Sequence, residues 1–312
     1  MAPRDDKTVR RDIRDLLTAS GNLKANFVVL AGADIGRTFP IEKVELIIGR
    51  GDQSDIFIDD EDVSRSHAKI EVLADAIVLK DLGSTNGTLV NGRKIAERKL
   101  EDGDRIQVGN LTVLKFNFLD NMEEEFNEQL YTAANKDFLT QIYNRKYFLD
   151  RLKMELSYAR RHETPLSLLI LDLDFFKKVN DKHGHLAGDA ILKQLTAEIS
   201  TTKRQEDLFA RYGGEEFVLL LRGTPKETAI QIAEKLRSKV EQIVFNVDGI
   251  DLKLTVSIGL ATFSRNNYKN DETFLRAADA LLYRAKKEGR NRIFFSKEGL
   301  SDSFKPENVL PA

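Results

Sequence analysis

The sequence contains no cysteine, only four histidines and no long apolar run. Disulfides and thiolate metal sites are therefore excluded, and carboxylates are the expected ligands of any metal, which favours a hard ion such as Mg2+. No run approaches the roughly 18 apolar residues that a membrane span needs, and the first residues lack the apolar core of a secretory signal. The net charge of −2 gives no general attraction to nucleic acid. We expect a cytoplasmic protein with neither a membrane span nor a nucleic-acid partner.

The first part of the chain changes character near residue 25. Residues 1–25 are charged and predict a flexible tail, although Val9, Ile13, Leu16 and Leu17 also fit one face of a short amphipathic helix. Residues 26–118 contain short alternating strand-like runs separated by turn signals such as NGR and EDGD. That spacing predicts an all-β sandwich.

The rest of the chain predicts a helix followed by a mixed domain. Residues 119–136 contain no glycine or proline and place Met122, Phe126 and Ala133 on one helical stripe, which predicts a helical linker. From 137 to 297, helix-like and strand-like segments alternate, which indicates an α+β domain around a mixed sheet. Residues 298–312 are interpreted as a second tail. Since 312 residues suit about two domains, we expect a multidomain protein.

Acidic residues follow two strand-like segments of the second domain. The run LSLLILDLD ends in Asp172 and Asp174, which share one face of the strand because side chains alternate. A simpler interpretation is that Asp174 caps the helix that follows. The stretch RYGGEEF predicts a tight glycine turn that carries Glu215 and Glu216. Neighbouring strands could bring Asp172 and one glutamate around a Mg2+ ion bound to phosphate oxygens.

With these residues in place, residues 137–296 resemble a GGDEF-family diguanylate cyclase domain of the GGEEF variant. The motifs that carry the resemblance occur in the family's order: DFLTQIYNR, LDLDFFKKVNDKHGHLAGD, RYGGEEF, TVSIGLA and ADALLYRAKKEGRN. The resemblance implies a βααββαβ core similar to a ferredoxin-like palm. It also implies a homodimer of antiparallel domains, each holding one GTP, that forms cyclic di-GMP and releases pyrophosphate.

The resemblance assigns the metal and catalytic residues. The Mg2+ ligands would be Asp172, the backbone carbonyl of Leu173 and Glu215. Glu216 would either help to deprotonate the ribose 3′ hydroxyl or hold a second metal ion. The residues counted as catalytic are therefore Asp172, Lys177, Glu215 and Glu216, and the protein would mainly position groups and neutralise charge.

The resemblance also implies a nucleotide site. Asn180 and Asp189 would read guanine, and the phosphates would bind the side chains of Lys177, Lys286 and Arg290 and the backbone N–H groups of Phe175 and Phe176. Simpler interpretations remain: Lys286 and Arg290 suit a helix C-terminus, and Asn180 with Asp181 could cap a turn. His183 and His185 are interpreted as structural.

A four-residue motif, RQED at 204–207, lies upstream of the glycine pair. It resembles the family's RxxD inhibitory site, in which Arg204 and Asp207 would bind the guanines of cyclic di-GMP. The resemblance thus implies product feedback. A surface salt bridge is the alternative.

The first domain resembles a forkhead-associated (FHA) domain through IIGR at 47–50, SRSH at 64–67 and GSTNGTLVNG at 83–92. That family is an eleven-strand sandwich whose loops bind phosphothreonine peptides. The resemblance assigns peptide binding to Arg50, Ser64, Arg65, Thr85 and Asn86, and packing to His67. The asparagine-glycine pairs also predict ordinary hairpin turns.

Together the segments predict a sensor, a helix and a catalyst. Phosphothreonine capture would move the linker helix and change the geometry of the cyclase dimer. The ligand would come from a partner protein or from this chain, with Thr8 as the candidate site of a Ser/Thr kinase and Thr18 as a second option. The alternative is a scaffold that binds phosphopeptide and senses GTP or cyclic di-GMP without turnover.

Overall fold

A computed structural model describes residues 18–19, 23–51, 53–73, 76–204, 206–263 and 268–295. The candidate phosphosite Thr8, the amphipathic pattern of the first tail, the side chain of Thr18 and the C-terminal tail lie outside what it describes. The chain divides into two compact units, residues 1–134 and 135–312. Among the described residues, no helix combines the length and apolar character needed to cross a membrane.

In the described residues of the N-terminal unit, twelve strands form two sheets, as the sandwich prediction requires. One sheet has the order β1-β2-β12-β11-β8-β9 with β3 beside β2, and the other has the order β10-β7-β6-β4-β5. The strands are β1 (Thr18–Ala19), β2 (Leu23–Ala31), β3 (Thr38–Pro40), β4 (Glu45–Gly49), β5 (Ile56–Phe57), β6 (Ala68–Val72), β7 (Ile77–Asp81), β8 (Thr88–Val90), β9 (Arg93–Ile95), β10 (Glu97–Lys99), β11 (Arg105–Val108) and β12 (Thr112–Leu119).

Alternating apolar residues give this unit its core. In β6 the buried positions alternate with half-buried ones, so Ala68, Ile70 and Val72 face inward. They join one buried cluster with Phe27 and Phe116. The sandwich begins earlier than predicted, because β1 and the first residues of β2 pair with each other inside the segment interpreted as a tail.

The predicted linker forms helix α1 (Asn121–Asn135). Tyr131 is buried on this helix, and its hydroxyl donates a hydrogen bond of 2.8 Å to Oδ1 of Asp34. The other carboxylate oxygen of Asp34, Oδ2, accepts from Arg37 at 3.0 Å. Met122 and Phe126, on the predicted stripe, are exposed. Within the N-terminal unit, one face of the helix is thus anchored to the sandwich and the stripe is not.

As far as the structure describes it, the C-terminal unit has five helices and a five-stranded sheet of order β14-β15-β13-β18-β19. Its sequence of core elements is βααββαβ, which confirms the predicted fold class. The elements are α2 (Arg145–His162), β13 (Leu166–Leu173), α3 (Phe176–His183), α4 (His185–Ser200), β14 (Leu208–Gly213), β15 (Glu216–Arg222), α5 (Lys226–Gln242), β16 (Phe245–Val247), β17 (Ile250–Leu252), β18 (Val256–Phe263), α6 (Asp271–Lys287) and β19 (Ile293–Phe295).

Strand β13 lies at the centre of this sheet, and every one of its residues is buried. It pairs antiparallel with β15 on one side and with β18 on the other, so its continuous apolar run is covered on both faces. The small hairpin of β16 and β17 was not predicted, although Asp248 and Gly249 at its turn both have positive φ, as a two-residue hairpin turn requires.

Candidate functional site

The end of β13 carries the first candidate ligand, Asp172. The register pairs Asp172 with Glu216 on β15 and with Ser257 on β18, and its side chain is buried. The ammonium group of Lys286, in the last turn of α6, lies 2.7 Å from Oδ2 of Asp172. Burial raises the pKa of Asp172 to about 6 against the opposing effect of Lys286, with Glu215 and Glu216 adding to the rise. Asp172 is therefore a carboxylate held where negative charge is costly.

The predicted hairpin between β14 and β15 brings both glutamates to the same place. Gly214 has φ of 42°, and the backbone N–H of Leu173 donates to the carbonyl of Glu215 at 3.4 Å. Burial raises the pKa of Glu215, with a further rise from Glu216 and an opposing effect of Lys286. Three carboxylates and one ammonium group therefore share this corner of the sheet.

A guanidinium group that the sequence analysis did not single out fixes the hairpin. Arg211 donates from Nε and Nη2 to the carbonyl of Gly214, at 2.9 and 2.8 Å, and from Nη1 to Asp137 at 3.1 Å. Asp137 in turn accepts from the backbone N–H and the hydroxyl of Thr140. The entrance motif DFLT and the motif RYGGEEF thus form one hydrogen-bonded unit.

The alternative interpretation that Asp174 caps helix α3 is wrong. The N-cap residue is Phe175, in the left-handed region with φ of 61°, and it makes no side-chain capping bond. The Asp174 carboxylate accepts from the hydroxyls of Thr255 and Ser257, both at 2.7 Å, and from the N–H of Asn291 at 3.0 Å. Asp174 therefore joins the loop after α6 to the start of β18.

The predicted guanine readers lie where α3 and α4 meet. Oδ1 of Asn180 is buried and has no hydrogen-bond partner among the described residues. It lies against the backbone of Gly188, where a Cβ would come within 2.0 Å of it, and Asp189 is the next residue. An unpartnered buried amide oxygen is costly in the free protein and suits a ligand that donates a hydrogen bond. Gly188 was missed because only the approach of two helices shows why it must be glycine.

The predicted phosphate residues surround the start of α3. The ring of Phe175 is exposed, and the guanidinium carbon of Arg290 and the ammonium nitrogen of Lys178 each lie 4.5 Å from its centroid. Phe176 is buried and Lys177 is exposed. Arg290 lies just beyond α6, which ends at Lys287, and its backbone N–H donates to the carbonyl of Ala285 at 2.9 Å. It therefore belongs to the C-terminal cap of α6, as the helix-terminus interpretation requires.

The donor set fits a hard divalent ion that also binds ligand oxygens. Among the described residues, no group of three or more His, Cys, Asp or Glu side chains is arranged to hold a metal ion. The predicted set differs from such a group, because it comprises the carboxylates of Asp172 and Glu215 and the carbonyl of Leu173. Mg2+ is usually bound by one or two carboxylates together with phosphates and water, so two carboxylates suffice.

The two residues of the RxxD motif have different surroundings. Arg204 is exposed, and its guanidinium lies 3.8 Å from Glu206. Asp207 is buried, and its Oδ2 accepts from the N–H of Arg204 at 3.0 Å, whereas Oδ1 has no partner among the described residues. Burial raises the pKa of Asp207 against the opposing effect of that hydrogen bond.

The predicted peptide-binding residues of the N-terminal unit come from three loops at one end of the sandwich. The N–H of Arg50 donates to the carbonyl of Ser64 at 3.1 Å, and the N–H of Thr85 donates to Oγ of Ser64 at 3.1 Å. Asn86 donates to the carbonyl of Asp62. Gly49 allows this arrangement, since a Cβ there would lie 2.1 Å from the carbonyl oxygen of Arg65.

Two further side chains hold these loops. Nδ1 of His67 accepts from the N–H of Ser64 at 3.1 Å, and its Nε2 lies 3.3 Å from the carbonyl oxygen of Gly87. Asp81 accepts three hydrogen bonds from Gly83 and Ser84, in the loop that contains Thr85, and one from Thr88 at the start of β8. Burial alone would raise the pKa of Asp81, but these hydrogen bonds lower it. Asp81 was not predicted, because an aspartate at a strand end has no signal of its own.

Comparison with known families identifies the two parts differently. The profile described as "Diguanylate cyclase, GGDEF domain" matches residues 134–292, just over half of the chain. Residues 28–118 match the profile described as "Inner membrane component of T3SS, cytoplasmic domain". The all-β prediction is confirmed, whereas membership of the FHA family stays a prediction.

Curated relatives named diguanylate cyclases match more than half of this chain, and the chain matches less than half of each of them. Diguanylate cyclase DosC of Escherichia coli K12 is 36% identical over 219 residues, which are 70% of this chain and 46% of DosC. Diguanylate cyclase A of Treponema denticola is 36% identical over 178 residues, which are 56% of this chain and 47% of that protein. The chain thus spans about half the length of these curated relatives.

Solved structures with the same C-terminal fold include one with cyclic di-GMP. The coiled coil and GGDEF domain of DgcB from Caulobacter crescentus, in complex with c-di-GMP, has a TM-score of 0.52 and 30% identity, covering 55% of this chain and 91% of that one. Diguanylate cyclase SiaD from Pseudomonas aeruginosa, in complex with its activator SiaC, has a TM-score of 0.51 and 35% identity, covering 56% of this chain and 66% of that one.

Proposed function

Because this chain belongs to the GGDEF diguanylate cyclase family, we propose that it converts GTP into cyclic di-GMP and pyrophosphate. The observation that carries the proposal is the corner where Asp172, Glu215 and Glu216 meet Lys286. Such a corner can bind a triphosphate with its metal ion, since it offers both anionic ligands and a cation.

The residues of this corner have separate roles in the proposal. Asp172, Glu215 and the carbonyl of Leu173 would hold Mg2+. When bound, that ion would neutralise phosphate charge. Glu216, on the neighbouring strand, would accept the proton of the ribose 3′ hydroxyl, whose oxygen attacks the α-phosphorus of a second GTP.

The remaining residues would position the nucleotide. Lys177, Lys286 and Arg290 would bind phosphate oxygens, together with the N–H groups of Phe175 and Phe176. Asn180 and Asp189 would bind guanine, a role supported by the unpartnered Oδ1 of Asn180, which can accept a hydrogen bond from the base. Since each domain holds one GTP, the reaction requires two copies of the chain face to face.

Product feedback at Arg204 and Asp207 forms part of the proposal. Asp207 has one buried oxygen without a partner among the described residues, and Arg204 is exposed beside it in the chain. A carboxylate oxygen and a planar guanidinium fork are the groups that bind the two edges of guanine.

Phosphothreonine binding by the N-terminal unit is the proposed input. It is supported by the meeting of Ser64 and Thr85, whose hydroxyls lie 3.4 Å apart, with the backbone of Arg50 at one end of the sandwich. The Arg50 guanidinium, 3.9 Å from Glu61, would turn to the phosphate, since a guanidinium and two hydroxyls suit that group. A Ser/Thr kinase would supply the ligand, on a partner protein or at Thr8.

Cyclase activity is tested by incubating the purified full chain with GTP and Mg2+ and measuring cyclic di-GMP. Asp172→Asn should abolish product, because a neutral amide is a poor Mg2+ ligand, while Asp181→Asn on exposed α3 surface should leave it intact. GTP binding without product in the unchanged protein would favour the non-catalytic scaffold instead.

Feedback is tested by following the reaction to high product concentration. Arg204→Ala should keep the initial rate and remove the later slowing, whereas Lys193→Ala on an exposed face of α4 should slow as the unchanged protein does. Identical progress curves for the unchanged protein and Arg204→Ala would contradict feedback at this motif.

The phosphothreonine input is tested with kinase-treated protein. Arg50→Ala should remove the response of cyclase activity to phosphorylation wherever the ligand lies, and Thr8→Ala should remove it only if the tail is the ligand. A full response in Arg50→Ala would reject the sandwich loops as the phosphate site.

A further inference from the structure

A groove of about 400 Å3 lies beside α3 in the C-terminal unit. Lys178 and Lys182, one helical turn apart, form one wall, and Lys253, in the segment between β17 and β18, lies on the other. Phe175 and His183 also line it. Three lysines from two separate parts of the fold therefore line one concave surface.

The positive charge of this groove is not offset by neighbouring carboxylates. In the part of the chain that the structure describes, none of the three lysines forms an ion pair, whereas cations elsewhere on this unit do, such as Arg276 with Glu272. Asp174 is the one carboxylate in the wall, and it is 3% exposed. Its oxygens already accept the three hydrogen bonds described above, so they point into the fold.

The groove adjoins the predicted GTP site without repeating it. Phe175 is the one predicted nucleotide-binding residue in its wall, and none of the predicted metal ligands or guanine readers lines it. Lys178 and Arg290 both lie against the ring of Phe175. A cationic surface therefore continues from the predicted phosphate clamp into the groove.

We propose that this groove is a second binding site for a di- or triphosphate group, with inorganic pyrophosphate as its ligand. Several ammonium groups around a concavity suit a compact polyanion, since each phosphate oxygen can accept charge-assisted hydrogen bonds. The choice of pyrophosphate rests on the proposed function, in which that product leaves beside Phe175. The triphosphate group of a nucleotide has the same chemistry and is the alternative ligand.

The test is calorimetric titration of the full chain with sodium pyrophosphate, without GTP. Lys182→Gln with Lys253→Gln removes two charges from opposite walls and should weaken binding about tenfold or more. The control is Lys153→Gln with Lys193→Gln, which removes two exposed charges elsewhere on the same unit and should leave binding unchanged. Equal dissociation constants for all three proteins would overturn the proposal.

Further titrations separate the groove from the GTP site and from diffuse attraction. Lys286→Ala should retain pyrophosphate binding in the groove, and loss of all binding in that variant would overturn the proposal. Sulfate bound as tightly as pyrophosphate would also overturn it, because a general cationic surface does not select a diphosphate. The variant with both Lys182→Gln and Lys253→Gln is called the groove variant. If it loses binding of a nonhydrolysable GTP analogue but keeps binding of pyrophosphate, the polyphosphate site stands and pyrophosphate is rejected as its ligand.

Kinetics distinguish failure of this proposal from failure of the proposed function. In the groove variant, the KM for GTP should stay within about twofold, while inhibition by added pyrophosphate should weaken as binding does. A chain that makes no cyclic di-GMP would reject the cyclase and leave the titration to decide the groove. An active cyclase whose inhibition by pyrophosphate is the same in both proteins would reject the groove alone.

Discussion

Single side chains in the C-terminal unit are held in positions that are costly without a ligand. Asp172 is buried beside two other carboxylates, and Asn180 has a buried oxygen without a partner among the described residues. The motifs predicted both residues. They could not predict the ion pair between Asp172 and Lys286, because it forms only when α6 packs across β13. A local pattern identifies residue types, whereas their partners depend on the tertiary fold.

Gly188 should matter for nucleotide selection. In Gly188→Ala the new Cβ would lie 2.0 Å from Oδ1 of Asn180, so the amide must move away from its present place. We expect the KM for GTP to rise about tenfold or more and discrimination against ATP to fall, since guanine contacts are lost. Steady-state kinetics with both nucleotides measure this, with the melting temperature as a check on folding.

The control for this prediction is Leu186→Ala, which alters an exposed residue on the same helix. It should leave both kinetic parameters near those of the unchanged protein. An unaltered KM for GTP in a folded Gly188→Ala variant would show that Asn180 does not contact the base.

His67 should make the N-terminal unit sensitive to acid. Burial lowers the pKa of His67 below the ordinary 6.5, although Gly87 opposes this, so the unfolded chain binds the proton more tightly than the folded one. Stability should then fall as the pH drops below 6.5 and be regained above it. Calorimetry between neutral pH and about 5.5 measures the shift of this unit's melting transition.

Replacement of His67 should remove that part of the pH dependence. In His67→Asn, the N-terminal unit should melt at a lower temperature at neutral pH. On acidification, its melting temperature should fall less than that of the unchanged protein. His185→Asn, at an exposed position in the other unit, is the control and should leave the first transition as it is. The same acid shift in His67→Asn and in the unchanged protein would assign the effect to other groups.

At the scale of elements, α1 shows what a helical pattern does and does not predict. The absence of glycine and proline predicted the helix, and it forms. The predicted stripe of Met122 and Phe126 is exposed, whereas Tyr131 is the buried residue. The contact could not be predicted from periodicity, because Tyr131 is fixed by a hydrogen bond to Asp34 in the loop between β2 and β3.

Tyr131→Phe should destabilise the N-terminal unit by about 1–2 kcal/mol, because it removes a donor from a buried carboxylate. Denaturant unfolding of the full chain measures this loss. Tyr283→Phe removes a hydroxyl from an exposed tyrosine of α6 and should have no effect. Equal stability of the Tyr131→Phe variant and the unchanged protein would show that the hydroxyl does not anchor the helix.

At the scale of the whole molecule, the buried apolar residues form separate cores. One cluster contains only residues of the N-terminal unit, and two others lie within the C-terminal unit. The change from alternating strands to mixed elements predicted two domains. The sequence could not predict the groove at Lys178, since its walls come from segments far apart in the chain.

Separate cores predict separate melting transitions. Ile106→Ala should reduce the free energy of unfolding of the N-terminal unit, and Leu219→Ala that of the C-terminal unit, each by about 2–5 kcal/mol, because both side chains are fully buried. Each change should therefore lower the melting temperature of its own unit. Differential scanning calorimetry of the full chain resolves the two. A GTP analogue with Mg2+ should raise only the transition that Leu219→Ala lowers, and a single transition shifted by either change would contradict the prediction.

The double contact of Arg211 has a mechanical consequence. Its guanidinium group donates hydrogen bonds both to Asp137, where the chain enters the C-terminal unit, and to Gly214, in the turn that carries the acidic pair. A displacement of the entering segment at Asp137 would therefore alter the hydrogen bonds that Arg211 makes to that turn. The segment where the chain enters the C-terminal unit and the corner where nucleotide chemistry is proposed thus share the hydrogen bonds of one guanidinium group.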